Sequence, residues 1–211
     1  MENWIILGLD LFGTAIFAIT GAVQGVRHRL DIFGVTVLAC CVGVGGGILR
    51  DCIIGDVPVA ALQHQYYILI CIAIGLLAFG TARYWIKQRN IIKICDAIGL
   101  GVFTALGAAK GAAAELSMTG IVLCGVFTSI GGGMIRDVLT GQVPVVLKSD
   151  FYATASLIGG VVYYVLSFLE VPLFIRFLSV AFLVISIRML AIHYKVQLPA
   201  AGRFLPRQKE R

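Results

Sequence analysis

One stretch of unusual residue types occurs twice in this chain. Three glycines followed by an Arg-Asp pair read GGGILRD over residues 45–51 and GGGMIRD over residues 131–137. Each copy ends a long apolar run, where a glycine costs about 1 kcal/mol relative to alanine in a helix and where charged side chains are rare unless they face the protein interior or water. Because both oddities recur with the same spacing, we interpret the stretch as a candidate site.

The triple glycines have two interpretations. Small residues let helix backbones approach closely, so they could serve only for packing. Alternatively they kink or break two helices and expose backbone groups to a central water-filled path, which is tolerated at membrane depth only where those groups line a cavity or are buried. Hydroxyls at Thr128 and Ser129, just before the second triple, would then add ligands for a partly hydrated ion. The glycines are Gly45, Gly46, Gly47, Gly131, Gly132 and Gly133.

Acidic and basic side chains accompany the glycines. Adjacent residues on a helix point about 100° apart, so we expect each Arg to pair with another helix and not with the Asp beside it. Two acids inside apolar runs are candidate partners and should face the protein interior. The charged residues have two interpretations, a structural ion-pair lock and a charged gate. The residues concerned are Arg50, Asp51, Arg136, Asp137, Asp10 and Asp96.

Lys110 is a further charged residue within an apolar run. It lies between Gly107 and Gly111, a Gly-x-x-x-Gly spacing that first predicts helix packing. A lysine in a cation path would repel cations, so it could act there as a gate or a tether.

Composition identifies the class of protein. The chain is 59% hydrophobic and only 13% charged, whereas soluble domains carry about 25% charged residues. We therefore expect an integral membrane protein. The net charge of +6 lies mostly between apolar runs and in the C-terminal tail, so no nucleic-acid partner is expected. No nucleotide loop, hydrolase triad or metal motif is present, so we expect neither an enzyme nor a cofactor.

The fold class predicted is an all-α integral membrane protein with seven transmembrane helices, because runs of about 20 apolar residues suit helices. The predicted spans are 4–26, 32–54, 66–86, 94–114, 118–139, 151–169 and 173–194. Lys and Arg concentrate on one side of such a chain, which predicts an outside N-terminus and a cytoplasmic C-terminus.

A shift of 86 residues superposes the two halves without a gap: Asp10 falls on Asp96, Arg50 on Arg136 and Tyr66 on Tyr152. Such self-similarity marks a repeat. Since each unit holds three helices, the second must enter the membrane from the opposite side, which makes the repeat inverted. We expect a single membrane domain over residues 1–211, made of repeat one (about 5–90), repeat two (about 91–170), the seventh helix (about 173–194) and a basic cytoplasmic tail (195–211).

The doubled Gly-Gly-Gly-x-x-Arg-Asp-x-x-x-Gly-x-Val-Pro pattern resembles a conserved bacterial membrane family labelled glycine transporter, which is related to the trimeric intracellular cation (TRIC) channels. The resemblance covers residues 5 to 195 or so. It implies a homotrimer in a prokaryotic inner membrane, with one pore per protomer that passes K⁺ and Na⁺ transiently. It also implies that the glycine-rich kinks of the second and fifth helices line that pore, with the Arg and Asp that follow them.

Three functions stay open at this point. Doubled breaks and matched acids favour a cation channel. The same inverted halves could rock around a midplane site as a carrier of glycine or another small amino acid, with helix N-termini after each break holding a carboxylate. A structural membrane scaffold is the third.

Overall fold

A computed structural model describes residues 2–88, 90–148 and 151–194, and its regular structure there is helical. The predicted basic tail at 195–211 lies outside the described residues. In chain order the helices are α1 (Glu2–Arg27), α2 (Ile32–Ile54), α3 (Ala60–Gln63), α4 (Gln65–Gly80), α5 (Ala82–Lys87), α6 (Ile91–Ala113), α7 (Met118–Leu139), α8 (Val145–Lys148), α9 (Ala153–Phe168) and α10 (Leu173–Tyr194).

The ends of α2 and α7 are defined by local chemistry. Asp31 begins α2 by accepting a hydrogen bond from the Gly34 amide at 2.7 Å, and Ser117 does the same for Gly120 at 3.4 Å. Such side-chain caps satisfy amides that have no partner inside the helix. Beyond the other end, Gly55 and Gly141 have φ of 77° and 68°, a left-handed conformation that glycine adopts without strain. The caps and turns thus occur at matching positions in the two halves.

Within the described residues, five helices, α1, α2, α6, α7 and α10, are long and apolar enough to cross a membrane. The predicted third and sixth spans are shorter than expected: α4 and α9 have 16 residues each, which at 1.5 Å per residue reach about 24 Å against a hydrocarbon core of about 30 Å. The predicted span 66–86 is divided at Thr81, where α4 ends and α5 begins.

Helices α1, α2 and α4 pack together, as do α6, α7 and α9, with α10 against α6 and α9 and with α2 against α7 at the centre. The predicted glycine packing is confirmed in α6. A Cβ on Gly107 would lie 2.6 Å from the Cys124 carbonyl oxygen, and one on Gly111 would lie 3.2 Å from Ile121 Cα. No side chain larger than hydrogen fits at that distance from a carbonyl oxygen, so these glycines let α6 contact the α7 backbone.

Candidate functional site

The first charged cluster lies between α1, α2 and α4. Arg50 Nε donates to Asp51 Oδ1 at 2.8 Å, and Arg50 Nη2 lies 3.9 Å from Asp10 Oδ2. The Tyr67 hydroxyl donates to the same Asp10 oxygen at 2.9 Å. Asp51 Oδ2 accepts from the Ala60 amide, which ties the start of α3 to the cluster. All four side chains belong to buried residues, so a network of charge-assisted bonds stabilises these groups within the apolar bundle.

The second cluster repeats this arrangement with α6 and α7. Arg136 Nε donates to Asp137 Oδ1 at 2.9 Å, and Arg136 Nη1 donates to Asp96 Oδ1 at 2.9 Å. Asp137 Oδ2 accepts from the Val145 amide at the start of α8. All three charged residues are buried. The two clusters therefore use the same residue types in the same roles.

Aromatic side chains distinguish the clusters. Tyr67 hydrogen-bonds Asp10 in the first cluster. In the second, Tyr152 lies under the Arg188 guanidinium, with 4.9 Å between the guanidinium carbon and the ring centroid. Such stacking is typical of cation–π contacts. Arg188 is buried, so this α10 side chain packs inside the helix bundle.

The predicted pairing of the arginines is half right. Both bind an acid on another helix, as expected for Asp10 and Asp96. Both also bind the adjacent aspartate, which we did not expect. A guanidinium carries five N–H donors in a fork, so Nε can serve the neighbour while the terminal nitrogens reach a second helix.

The predicted break at the triple glycines is wrong: α2 and α7 continue as helices through residues 45–47 and 131–133. Two glycines of each triple serve packing. A Cβ on Gly46 would collide with the Thr128 carbonyl oxygen, and one on Gly132 would lie 2.5 Å from the Val42 carbonyl oxygen. These glycines therefore let the two helices cross with their backbones in contact.

The contacts at this crossing are reciprocal. A Cβ on Gly45 would lie 3.8 Å from Gly132 Cα, and one on Gly131 would lie 3.2 Å from Gly46 Cα. Shifting the first contact by the repeat length of 86 residues gives the second. Exchange of roles between equivalent residues is the pattern of a two-fold related interface.

The third glycine of each triple faces a charged cluster. A Cβ on Gly47 would lie 3.8 Å from Arg50 Nη2. One on Gly133 would lie 2.9 Å from the Tyr152 hydroxyl and 3.5 Å from Asp96 Oδ1. Gly47 also lines a cavity of about 10 Å³ beside Asp10, Arg50 and Tyr67. That volume suits about one water molecule, so the ion pairs fill the space around the first cluster in this conformation.

The hydroxyls of Thr128 and Ser129 are already engaged by protein groups. Thr128 Oγ1 donates to the Cys124 carbonyl oxygen at 2.5 Å. Ser129 Oγ donates to the Val126 carbonyl oxygen at 2.9 Å and lies 2.8 Å from Ser156 Oγ, which in turn lies 2.7 Å from Thr104 Oγ1. Both oxygens keep lone pairs that can face an ion, so their role as ion ligands stays a prediction. Ser129, Ser156 and Thr104 join α7, α9 and α6.

Lys110 belongs to neither cluster, and the ion pair that it makes is with Asp56. Its Nζ donates to Asp56 Oδ2 at 2.9 Å, and both side chains are partly exposed, at 37% and 48%. The ammonium group holds the pKa of the Asp56 carboxyl below its usual value. Lys110 thus ties the end of α6 to the turn after α2, which fits the tether interpretation.

Four residues of the site were not expected from the sequence. Tyr67 and Arg188 join the clusters, and Thr104 and Ser156 complete the hydroxyl network. The match of Tyr66 to Tyr152 under the repeat pointed to this region. However, it is Tyr67, one position later, that contacts the acid.

Comparison with known proteins places these features in a family. A family model described as "Glycine transporter" matches residues 7–83 and 93–167. A UPF0126 membrane protein of Vibrio cholerae is 37% identical over 205 residues, which is 94% of this chain and 84% of that protein. The UPF0126 inner membrane protein YadS of Escherichia coli is 36% identical over 203 residues, covering 92% and 95%.

Solved structures with the same fold are TRIC channels. One, described under "Structural basis for conductance through TRIC cation channels", has a TM-score of 0.84 and 33% identity and covers 91% of this chain and 95% of that chain. A TRIC channel orthologue from Rhodobacter sphaeroides has a TM-score of 0.87 and 29% identity, covering 91% and 99%. The chain is therefore a membrane protein that belongs to the glycine transporter family, the family of the UPF0126 proteins, with bacterial TRIC channels as its structural neighbours.

Proposed function

We propose that this protein is a channel for the monovalent cations K⁺ and Na⁺, with one path inside each protomer that passes both charged clusters. The observation that carries the proposal is the charge of the first cluster. Asp10 and Asp51 supply two negative charges and Arg50 one positive charge, so with all three ionised one negative charge remains inside the bundle. Rings of acidic groups are a common basis of cation preference in pores. The similarity to TRIC cation channels supports the same class of function.

The conformation described corresponds to a closed path in this proposal. Each arginine lies between two carboxylates and fills the space that an ion would need. Opening requires each guanidinium to leave one carboxylate. In the first cluster Gly47 leaves room for that movement, because only Arg50 Nη2 lies within 4 Å of where its Cβ would be. The two clusters would therefore act as two gates in series.

The architecture proposed with this function has seven membrane crossings, with α4 and α9 also crossing, and two inverted three-helix repeats. The reciprocal contacts between α2 and α7 support the two-fold relation.

In a prokaryotic inner membrane, the N-terminus would lie outside and the C-terminus in the cytoplasm. The assembly would be a homotrimer, as the name of the TRIC relatives suggests. No bound cofactor is needed for such conduction, and the lipid bilayer and the passing ion are the remaining partners.

The alternative is a carrier of glycine or another small amino acid, which the description of the family favours. Arg50 Nη1 is buried and has no hydrogen-bond partner among the described residues, so it could receive a substrate carboxylate. Against this, the carrier hypothesis relied on helix N-termini at broken helices, and α2 and α7 are continuous.

A flux experiment separates the two functions. Purified protein is reconstituted in liposomes loaded with KCl, and K⁺ efflux and uptake of labelled glycine are measured on the same preparation. We expect K⁺ efflux that rises linearly with the K⁺ gradient and does not change with added glycine. Saturable glycine uptake without K⁺ efflux would contradict the channel proposal and support the carrier.

A further inference from the structure

An open groove of about 580 Å³ lies at one end of the helix bundle, and its lining includes no residue of either charged cluster. It is formed where α1 and α10 begin and where α6 and α9 end. Four helix termini at one place identify this as the level of one membrane face. The volume falls within the range of about 300–1,000 Å³ that is typical of small-molecule sites.

One end of the groove is basic. Arg176, in the first turn of α10, donates from Nη1 to Ser167 Oγ at 2.6 Å, and its guanidinium carbon lies 5.5 Å from the Tyr163 ring centroid. Arg176 Nε is buried without a hydrogen-bond partner, and Arg176 makes no ion pair within 2–88, 90–148 and 151–194. Lys110 lines the same end but is already paired with Asp56. Among the described side chains at this end, Arg176 and Lys110 against Asp56 leave one positive charge without a partner.

The other end of the groove is apolar and continues deeper into the bundle. A second cavity of about 30 Å³ shares Ile6, Leu106, Ala109 and Leu173 with the groove. Its lining adds Leu9 and Phe177, each about one helical turn farther from the membrane face than Ile6 and Leu173. The space therefore changes from cationic at the face to purely apolar beneath it.

We propose that this groove binds an anionic phospholipid, with the phosphate on Arg176 and one acyl chain along the apolar side of the groove. Arg176 offers a guanidinium to phosphate oxygens, the pairing for which arginine is best suited. A free phosphate would use only the basic end and would leave the apolar side of the groove uncovered. A second copy of this chain would have to bury an unpaired arginine, whereas charged residues are depleted from the cores of protein interfaces when they lack partners.

Native mass spectrometry of the purified full-length protein tests the proposal directly. The probes are phosphatidylglycerol and phosphatidylethanolamine with identical acyl chains. We expect wild type to bind phosphatidylglycerol more tightly. Arg176→Gln should weaken that binding about tenfold, because it removes one charge-assisted hydrogen bond. Ala109→Phe, which fills the junction of the two cavities, should weaken the binding of both lipids.

Two control variants make the result specific. Arg176→Lys keeps the charge and should retain most of the preference for phosphatidylglycerol. Arg83→Gln removes an exposed basic residue on α5 and should bind like wild type. Arg176→Gln and Arg176→Lys differ in charge but little in side-chain volume. The comparison of these two variants therefore tests the proposal even if Ala109→Phe does not fold.

Three results would overturn the proposal. One is equal phosphatidylglycerol binding by wild type and Arg176→Gln. Another is displacement of the lipid by glycerol phosphate, which lacks acyl chains and would indicate a simple anion site. The third is unchanged lipid binding with altered oligomer distribution in Ala109→Phe, which would mean that a second copy covers the groove.

Discussion

At the scale of single residues, each cluster arginine binds two carboxylates through different nitrogens. Nε serves the adjacent aspartate, and a terminal nitrogen faces Asp10 or Asp96 on another helix. The second cluster is tighter, with 2.9 Å to Asp96 against 3.9 Å from Arg50 to Asp10. The first cluster compensates in part through the Tyr67 hydroxyl, which donates to Asp10. We therefore expect the first cluster to open more readily than the second.

Removing the arginine of the second cluster should strongly destabilise the protein. Arg136→Gln leaves Asp96 and Asp137 buried without the guanidinium that binds them both, and breaking a buried pair costs about 3–5 kcal/mol. The measurement is the free energy of unfolding in detergent micelles, titrated with a denaturing detergent. The double variant Arg136→Gln/Asp96→Asn should recover part of the loss. A loss by Arg136→Gln no larger than that of the exposed control Arg83→Gln would contradict this account.

The exposed pair of Lys110 and Asp56 should contribute a small stabilisation that depends on pH. Lys110 lowers the pKa of Asp56 in the folded protein from its ordinary value of 3.8. The contribution is therefore complete above pH 3.8 and is lost as the pH falls through the lower folded value. Because both side chains are partly exposed, we expect less than about 1 kcal/mol.

The pH dependence is measured by thermal unfolding of wild type and Lys110→Gln between pH 6 and pH 3. The difference between the two proteins should shrink at the acidic end. A difference that grows as the pH falls would refute the assigned pairing.

Residue types and the repeat were enough to predict the cross-helix partners of both arginines. They could not predict the pairing with the adjacent aspartate, because that depends on the path of a long flexible side chain. They also could not predict the hydroxyl network of Thr104, Ser129 and Ser156. An isolated Ser or Thr in an apolar helix usually bonds its own backbone, so its spacing carries no signal of a partner on another helix.

At the scale of elements, the crossing of α2 and α7 explains why the glycines pack and do not break the helices. Glycine disfavours helices in water, where the unfolded backbone binds solvent. Within a bilayer a broken helix leaves backbone groups without partners, which costs several kcal/mol for each group. Continuous α2 and α7 avoid that cost, and close contact of their backbones gains packing energy. The triple glycines therefore mark the place where α2 and α7 meet, but the helix break predicted there is absent.

Alanine substitutions in the first glycine triple should distinguish the glycine that packs against α7 from the glycine that faces the charged cluster. Gly46→Ala collides with the Thr128 carbonyl oxygen and should cost about 1–3 kcal/mol, as overpacking does. Gly47→Ala meets only Arg50 Nη2, at an ordinary contact distance of 3.8 Å, so folding and assembly should be retained. Gly8→Ala is the control in α1, because nothing lies within 4 Å of the added Cβ.

The free energy of unfolding and the size of the detergent-solubilised assembly are compared for these three variants. The expected order of stability is Gly8→Ala, then Gly47→Ala, then Gly46→Ala. If Gly46→Ala is as stable as Gly8→Ala, the close contact of α2 and α7 is not present in the folded protein.

At the scale of the whole molecule, the two halves meet through equivalent residues. Phe17 and Phe103, which the 86-residue shift superposes, stack at 5.2 Å between ring centroids. The sequence predicted the all-helical class and most helix ends. It did not predict that α4 and α9 would be short, because hydropathy continues across the turn at Thr81 and so hides the end of the helix.

Opening and closing of the two clusters is the central claim at this scale. Asp10→Asn weakens the pair with Arg50, and Asp96→Asn weakens the pair with Arg136. Loss of either ion pair should shift the equilibrium between the closed and open states toward the open state. A change of about 1.4 kcal/mol shifts such an equilibrium tenfold. Glu170→Gln removes an exposed carboxylate and is the control.

Single-channel recording in planar bilayers with KCl on both sides is the most direct test. We predict stepwise K⁺ currents for wild type, an open fraction raised severalfold in Asp10→Asn and Asp96→Asn, and unchanged behaviour in Glu170→Gln. Silent bilayers with wild type protein that takes up glycine in liposomes, or identical open fractions in all four proteins, would contradict the account.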